Sequence, residues 1–154
     1  MYTKALIFLL SATLILSWSA CENAAGGSKD LLATSMDSIS YAMGANFNRQ
    51  FYKQGMTLKP EKLIEGYADA YEGEGMSREE ISKVMGRIQE AFTKRQGEPF
   101  TEEDPVPGSV DTISYALGSD LGRQMGELQI EMNQEALEAG AREIVDEEAR
   151  RLDD

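Results

Sequence analysis

Apolar residues recur at helical spacing along most of the chain. The first stripe advances in four-residue steps and consists of Ile39, Met43, Phe47 and Phe51. We expect its helix to begin near Asp37 or Ser38, both of which are good N-cap residues. Four further helical patterns follow good first-turn residues, namely Pro60, Ser77, Asp111 and Asn133. Because hardly any segment alternates with the two-residue period of a strand, the pattern predicts an all-α fold of about five helices.

The segment 98–109 interrupts this pattern. It holds three of the four prolines and has no helical period, so it predicts a Pro-rich linker. The linker separates a first helical-hairpin unit, residues 35–97, from a second, shortened unit, residues 110–154. The second unit has no counterpart of the first unit's third helix, and we expect it to use helix 77–96 of the first.

The two units resemble each other. A shift of 74 residues places Asp37-Ser-Ile-Ser-Tyr-Ala-Met-Gly44 on Asp111-Thr-Ile-Ser-Tyr-Ala-Leu-Gly118, and roughly a third of the aligned positions up to residue 70 are identical without a gap. A mid-helix glycine costs about 1 kcal/mol relative to alanine, so its presence in both copies indicates close approach of another helix. We predict an internal duplication whose packing interface contains Tyr41, Gly44, Phe47, Phe51, Tyr115, Gly118, Leu121 and Met125.

The N-terminus has the features of a targeting segment. Lys4 precedes an apolar run, residues 5–16, that is too short to span a bilayer comfortably and typical of a signal peptide. Ser19-Ala20-Cys21 resembles a lipoprotein signal, which implies diacylation of Cys21, although Trp18 departs from the leucine preferred there. Ordinary cleavage after Ala20 and an uncleaved anchor stay open. We expect a signal peptide over residues 1–20, an acylated cysteine with a flexible tether over 21–34, and a membrane-anchored location in the cell envelope.

Composition narrows the chemistry. The chain has one cysteine and no histidine, so an intrachain disulfide, a Cys–His pair and histidine ligation are impossible. The formal net charge of −12 repels phosphate backbones and excludes nucleic acid as a partner. Adjacent acidic pairs such as Glu79-Glu80 point about 100° apart on a helix and do not converge as an acid–base couple. We expect no metal, no cofactor and no catalytic residue.

The repeated motif resembles a known family. Ser-Tyr-Ala-(Met/Leu)-Gly, then Arg-Gln, then a helix ending Gly66-Tyr-Ala-Asp-Ala70, is similar to the N-terminal domain of two-domain FKBP-type peptidyl-prolyl isomerases, the macrophage infectivity potentiator group. Residues 37–96 match its order of three helices, and residues 111–154 match the first two again. The resemblance implies dimerisation through intertwined helices and a chaperone-like grip on clients. The family's isomerase domain is β-rich with a tryptophan floor, and we expect it to be absent because Trp18 is the chain's only tryptophan.

These observations favour a lipid-anchored, extracytoplasmic interaction module that is accessory to protein folding. Its expected partners are a second copy of itself, or the other unit of the same chain in a pseudo-dimer, and unfolded or proline-containing clients. The methionines at helical spacing fit either a core or an adaptable client surface. Two alternatives stay open: a truncated or partner-dependent peptidyl-prolyl isomerase, and a structural envelope lipoprotein without a client.

Overall fold

The computed structural model describes the backbone of residues 33–152 and the side chains of residues 33–143. The chain divides into a segment, Met1–Asp30, and a body, Leu31–Asp154. All described residues belong to the body, and the expected signal peptide lies outside them. Cys21 and most of the expected tether are likewise outside the described residues. None of the described helices is long and apolar enough to cross a membrane.

All regular secondary structure in the described body is helical, which confirms the all-α prediction. Its five helices are α1 (Ser35–Tyr52), α2 (Pro60–Tyr71), α3 (Arg78–Lys94), α4 (Val110–Leu128) and α5 (Gln134–Leu152). Among the described residues there is no strand, and no group of three or more acidic, cysteine or histidine side chains is placed to hold a metal ion.

Capping boxes lie at the starts of α1 and α3. The Ser77 hydroxyl accepts from the Glu80 amide at 3.3 Å and the Glu80 carboxylate accepts from the Ser77 amide at 2.9 Å, as the capping-box motif predicts. The predicted start of α1 was wrong by a few residues. Thr34 is its N-cap, and Asp37 closes the same reciprocal box from the third helical position, with Oδ2 2.7 Å from the Thr34 amide. The pKa of Asp37 is lowered because its carboxylate accepts hydrogen bonds, first from Asn133 and then from Thr34.

Within each unit, the described helices that follow each other in sequence do not pack against each other: α1 does not contact α2, α2 does not contact α3, and α4 does not contact α5. Among the described helices, α1 packs only against α5, and α2 packs against α4 and more lightly against α5. The third helix, α3, packs against α4 of the second unit. Each of the four repeated helices therefore takes its main partner from the other unit.

Two hydrophobic clusters fill the spaces between the helices. The first cluster is built on Phe51, Met56, Leu58, Leu63, Ile113, Ala116, Leu117 and Ala141, and is joined by Ile81, Val84 and Ile88 of α3 and by Phe100. The second cluster contains Tyr67, Leu121, Met132 and Leu137, with Met43, Phe47, Ile64, Tyr71 and Met125 packed against it. The segment 98–109 contains no helix, yet Phe100 is buried in the first cluster, and its amide donates to the Gln54 carbonyl oxygen at 2.8 Å.

Candidate functional site

Glycines bring α1 and α5 into backbone contact. A Cβ atom added to Gly44 would overlap the carbonyl oxygen of Leu137 and lie 2.8 Å from the amide nitrogen of Ala141. Gly140, on the facing helix, would in the same way overlap the carbonyl oxygen of Tyr41 and lie 2.9 Å from the amide nitrogen of Ala45. Real Cβ atoms do not come this close to backbone atoms, so only glycine allows this crossing.

The crossing of α2 and α4 has the same contacts. A Cβ atom on Gly118 would overlap the carbonyl oxygen of Leu63 and lie 2.9 Å from the amide nitrogen of Tyr67. Gly66 would overlap the carbonyl oxygen of Tyr115. Adding 74 to Gly44, Gly66, Leu63 and Tyr41 gives Gly118, Gly140, Leu137 and Tyr115. The two crossings therefore use equivalent residues with the roles of the two units exchanged.

A buried serine tethers each crossing to the loop of the other unit. The Ser40 hydroxyl accepts a hydrogen bond from the Asn133 amide at 3.0 Å, and the Ser114 hydroxyl accepts one from the Lys59 amide at 2.9 Å. Each serine also donates to the carbonyl oxygen four residues earlier, at 2.8 Å. Both hydroxyls are thus satisfied in the interior, as buried polar groups must be.

A tyrosine faces a carboxylate at each crossing. The Tyr115 hydroxyl donates to Oδ2 of Asp69 at 2.6 Å, and this bond, with burial, raises the pKa of Tyr115 to about 12. At the equivalent positions, burial raises the pKa of Tyr41, and the negative charge of Glu143 raises it further. Deprotonation of either phenol would place two anions next to each other, so both pairs stabilise the neutral tyrosine.

We expect Tyr115→Phe to lower the free energy of unfolding by about 1 kcal/mol at pH 7, because a partly solvated charge-assisted hydrogen bond is lost. The folded-state pKa of Tyr115 lies above its ordinary value of 10, so this stabilisation is complete below pH 10 and disappears as the pH rises towards 12. Urea unfolding at pH 7 and at pH 11 tests both statements. Tyr71→Phe, which keeps a ring stacked at 5.8 Å on Tyr67, is the control. An equal difference between wild type and Tyr115→Phe at both pH values would contradict the assignment.

One polar residue breaks the equivalence of the two crossings. Asn48 is fully buried, and its side chain donates to the carbonyl oxygen of Ala141 at 2.6 Å and accepts from the Leu58 amide at 3.0 Å. The equivalent position is Gly122, where a Cβ atom would overlap the carbonyl oxygen of Tyr67. The amide of Met132, equivalent to that of Leu58, is instead bound by the Tyr67 hydroxyl at 3.0 Å.

The eight residues predicted for the packing interface fall into two groups. Gly44 and Gly118 lie at the crossings, and Tyr41 and Tyr115 contribute the backbone oxygens that face Gly140 and Gly66. The other four contribute to the clusters: Phe51 lies in the first and Leu121 in the second, while Met125 packs against the second and Phe47 against both.

Sequence reasoning missed other polar contributors to these crossings. They are Ser40, Ser114, Asn48 and Asp69. Only the two serines carried a detectable signal, since both copies have Ile-Ser-Tyr at these positions.

Comparison with known proteins identifies the first three helices. Residues 36–104 match the family model of the domain amino terminal to FKBP-type peptidyl-prolyl isomerase. The chain is also similar to the outer membrane protein MIP of Legionella longbeachae, with 26% identity over 74 residues, which is 47% of this chain and 32% of the relative. The matched part thus spans about a third of that relative's length. No solved structure matches the chain. This match confirms, for residues 36–104, the similarity to the N-terminal domain of FKBP-type isomerases that was seen in the sequence.

Proposed function

We propose that this protein is an extracytoplasmic helical interaction module, accessory to protein folding and anchored to a membrane through Cys21. In this proposal α4 and α5 are a second copy of the first unit's helix pair, and they take the place that a partner subunit would occupy. The family of residues 36–104 supports the connection with protein folding. The Legionella relative is named as an outer membrane protein, which supports a location in the cell envelope.

The reciprocal glycine crossings are the observation that carries this proposal. In a two-fold symmetric dimer, residue i of one subunit contacts residue j of the other, and j contacts i in return. Gly44 meets Leu137 and Gly118 meets Leu63, so each contact recurs 74 residues along the chain with the units exchanged. This arrangement supports a dimer-like core that a single chain forms without a second one.

Light scattering on the chain purified without residues 1–20 tests the intrachain pairing. We expect the mass of one chain at micromolar concentration, because each repeated helix already has its main partner. Gly140→Ala, which places a Cβ atom against Tyr41, serves as a comparison in which the pairing is loosened. A stable dimer of the unsubstituted chain whose helices exchange between subunits would contradict the intrachain version.

Client binding is tested by adding the same chain to an aggregating protein. We expect it to suppress the light scattering of thermally unfolding citrate synthase in a concentration-dependent way, while leaving the rate of a proline-limited refolding reaction unchanged. Failure to suppress aggregation would favour a structural envelope lipoprotein. Acceleration of the refolding reaction would favour the isomerase alternative.

A further inference from the structure

The two hydrophobic clusters are equivalent but differ in how well they are covered. Ile113 and Met56 of the first cluster are 1% and 3% exposed. The residues 74 positions away from them, Ile39 and Ile130, are 51% and 36% exposed. The same sequence positions therefore line a closed core on one side of the body and an open apolar surface on the other.

The difference has a structural cause. The apolar stripe of α3, which consists of Ile81, Val84 and Ile88, lies in the first cluster and covers α4. Among the described helices, α1 packs only against α5, so no described helix lies over α1 where α3 lies over α4. We call the resulting surface the open face and define it by Ile39, Met43, Met125, Leu128 and Ile130.

We propose that the open face binds an amphipathic helix of a partner protein. The equivalent face of the first cluster is occupied by such a helix, and α3 shows the chemistry required: apolar side chains at positions i, i+3 and i+7 with charged residues outside. The open face has Met43 and Met125 where the first cluster has Leu117 and Phe51. Flexible thioethers adapt to different apolar surfaces, so the face is suited to more than one helix of this type.

Charge distinguishes the partner helix from α3 itself. At the start of α3, Arg78 forms an ion pair with Glu127 of α4. The residue equivalent to Glu127 is Lys53, the C-cap of α1, and its side chain is exposed. The complementary partner helix therefore carries an acidic residue where α3 carries Arg78.

Backbone geometry limits what the site accepts. Gly55 has a φ of +77° and lies so close to the backbone of Phe100 that a Cβ atom would overlap the Phe100 carbonyl oxygen. The equivalent residue is Gln129, which keeps the positive φ at 55° but has a side chain. The segment after α3 packs the backbone of Phe100 against Gly55. The Cβ atom of Gln129 excludes the same contact for a segment that comes after the partner helix. The open face therefore binds a helix without a following segment packed beside it.

A labelled synthetic peptide provides the direct test. Its sequence is that of residues 77–95 with the change Arg78→Glu, and fluorescence anisotropy follows its binding to the full chain. We expect saturable binding that Ile39→Asp weakens at least tenfold, because a charge would replace an apolar contact in the complex. Ile39 is half exposed in the free chain, so its replacement leaves the fold intact. Gln89→Asp, which adds the same charge on the exposed side of α3, is the matched control and should bind like wild type.

Two further measurements make the result specific. A peptide with serine in place of its three stripe residues should not bind. Lys53→Glu should weaken binding of the Arg78→Glu peptide a few-fold and strengthen binding of the peptide that keeps arginine. Equal affinity of wild type and Ile39→Asp would overturn the proposal. Self-association of the peptide-free chain that Ile39→Asp abolishes would also overturn it, because a second copy would then be the occupant.

This docking surface rests on the proposed function in one respect, namely that the chain is an interaction module. The two can fail separately, because one test measures peptide binding and the other measures suppression of aggregation. Binding without suppression would remove the role in protein folding and leave the docking surface. If Ile39→Asp suppresses aggregation as well as wild type does, the role in protein folding stands and the client binds to another surface.

Discussion

Gly118→Ala is expected to lower the free energy of unfolding by about 3 kcal/mol. The added Cβ atom would overlap the carbonyl oxygen of Leu63 and lie 2.9 Å from the Tyr67 amide nitrogen, and neither atom can rotate away because both belong to the backbone of α2. The two helix axes must therefore separate, which loosens the packing along the whole crossing. Alanine has a helix propensity about 1 kcal/mol more favourable than that of glycine. The expected loss in the free energy of unfolding is therefore what remains after this gain is subtracted from the cost of the overlap.

A second helical glycine provides the matched control. Gly86 lies in the middle of α3, and a Cβ atom there would meet no atom within 4 Å. We expect Gly86→Ala to raise the free energy of unfolding by about 1 kcal/mol, since only the propensity acts. Urea unfolding followed by circular dichroism measures both variants. A Gly118→Ala chain as stable as Gly86→Ala would show that α2 and α4 do not cross through these glycines.

The helices and the glycine contacts could be predicted because they depend on local patterns. A glycine that interrupts a stripe of good helix formers indicates a close neighbour, and Gly44 and Gly118 both have one. Which helix is the neighbour could not be predicted. The stripe of α1 is complementary to α2 and to α5 alike, because Leu137 and Gly140 of α5 are equivalent to Leu63 and Gly66 of α2. Only the geometry of the connections selects between the two helices.

The polar residues at the crossings were missed for a related reason. Ser40 and Asn48 stand between apolar residues of α1, where a sequence pattern cannot separate a solvated side chain from a buried one. Their burial becomes evident only when the backbone groups they bind, the amides of Asn133 and Leu58, are in place. The start of α1 was misplaced because Asp37 is both a good N-cap and, as here, the third residue of a capping box.

Asn48→Ala is expected to have an effect as large as that of Gly118→Ala, with a loss of about 3 kcal/mol. The substitution leaves the Leu58 amide without a partner in the interior, and it removes one of the partners of the Ala141 carbonyl oxygen, which lies within α5. Each unsatisfied buried group costs about 1–3 kcal/mol. Asn46→Ala, at an exposed position of the same helix, should change the stability by less than about 0.5 kcal/mol.

Asn48→Asp separates the two hydrogen bonds. The Oδ1 atom still accepts a hydrogen bond from the Leu58 amide. The Nδ2 group, which donates to the Ala141 carbonyl oxygen at 2.6 Å, is replaced by a second acceptor. A carboxylate in this position is buried beside an oxygen, so we expect its pKa in the folded chain to be raised above the unfolded value of about 4. Relative to wild type, the variant then loses stability as the pH rises from about 4 through this raised pKa, and it is more stable near pH 5 than at pH 8. A variant whose difference from wild type does not change between these pH values would show that Asn48 does not donate to α5.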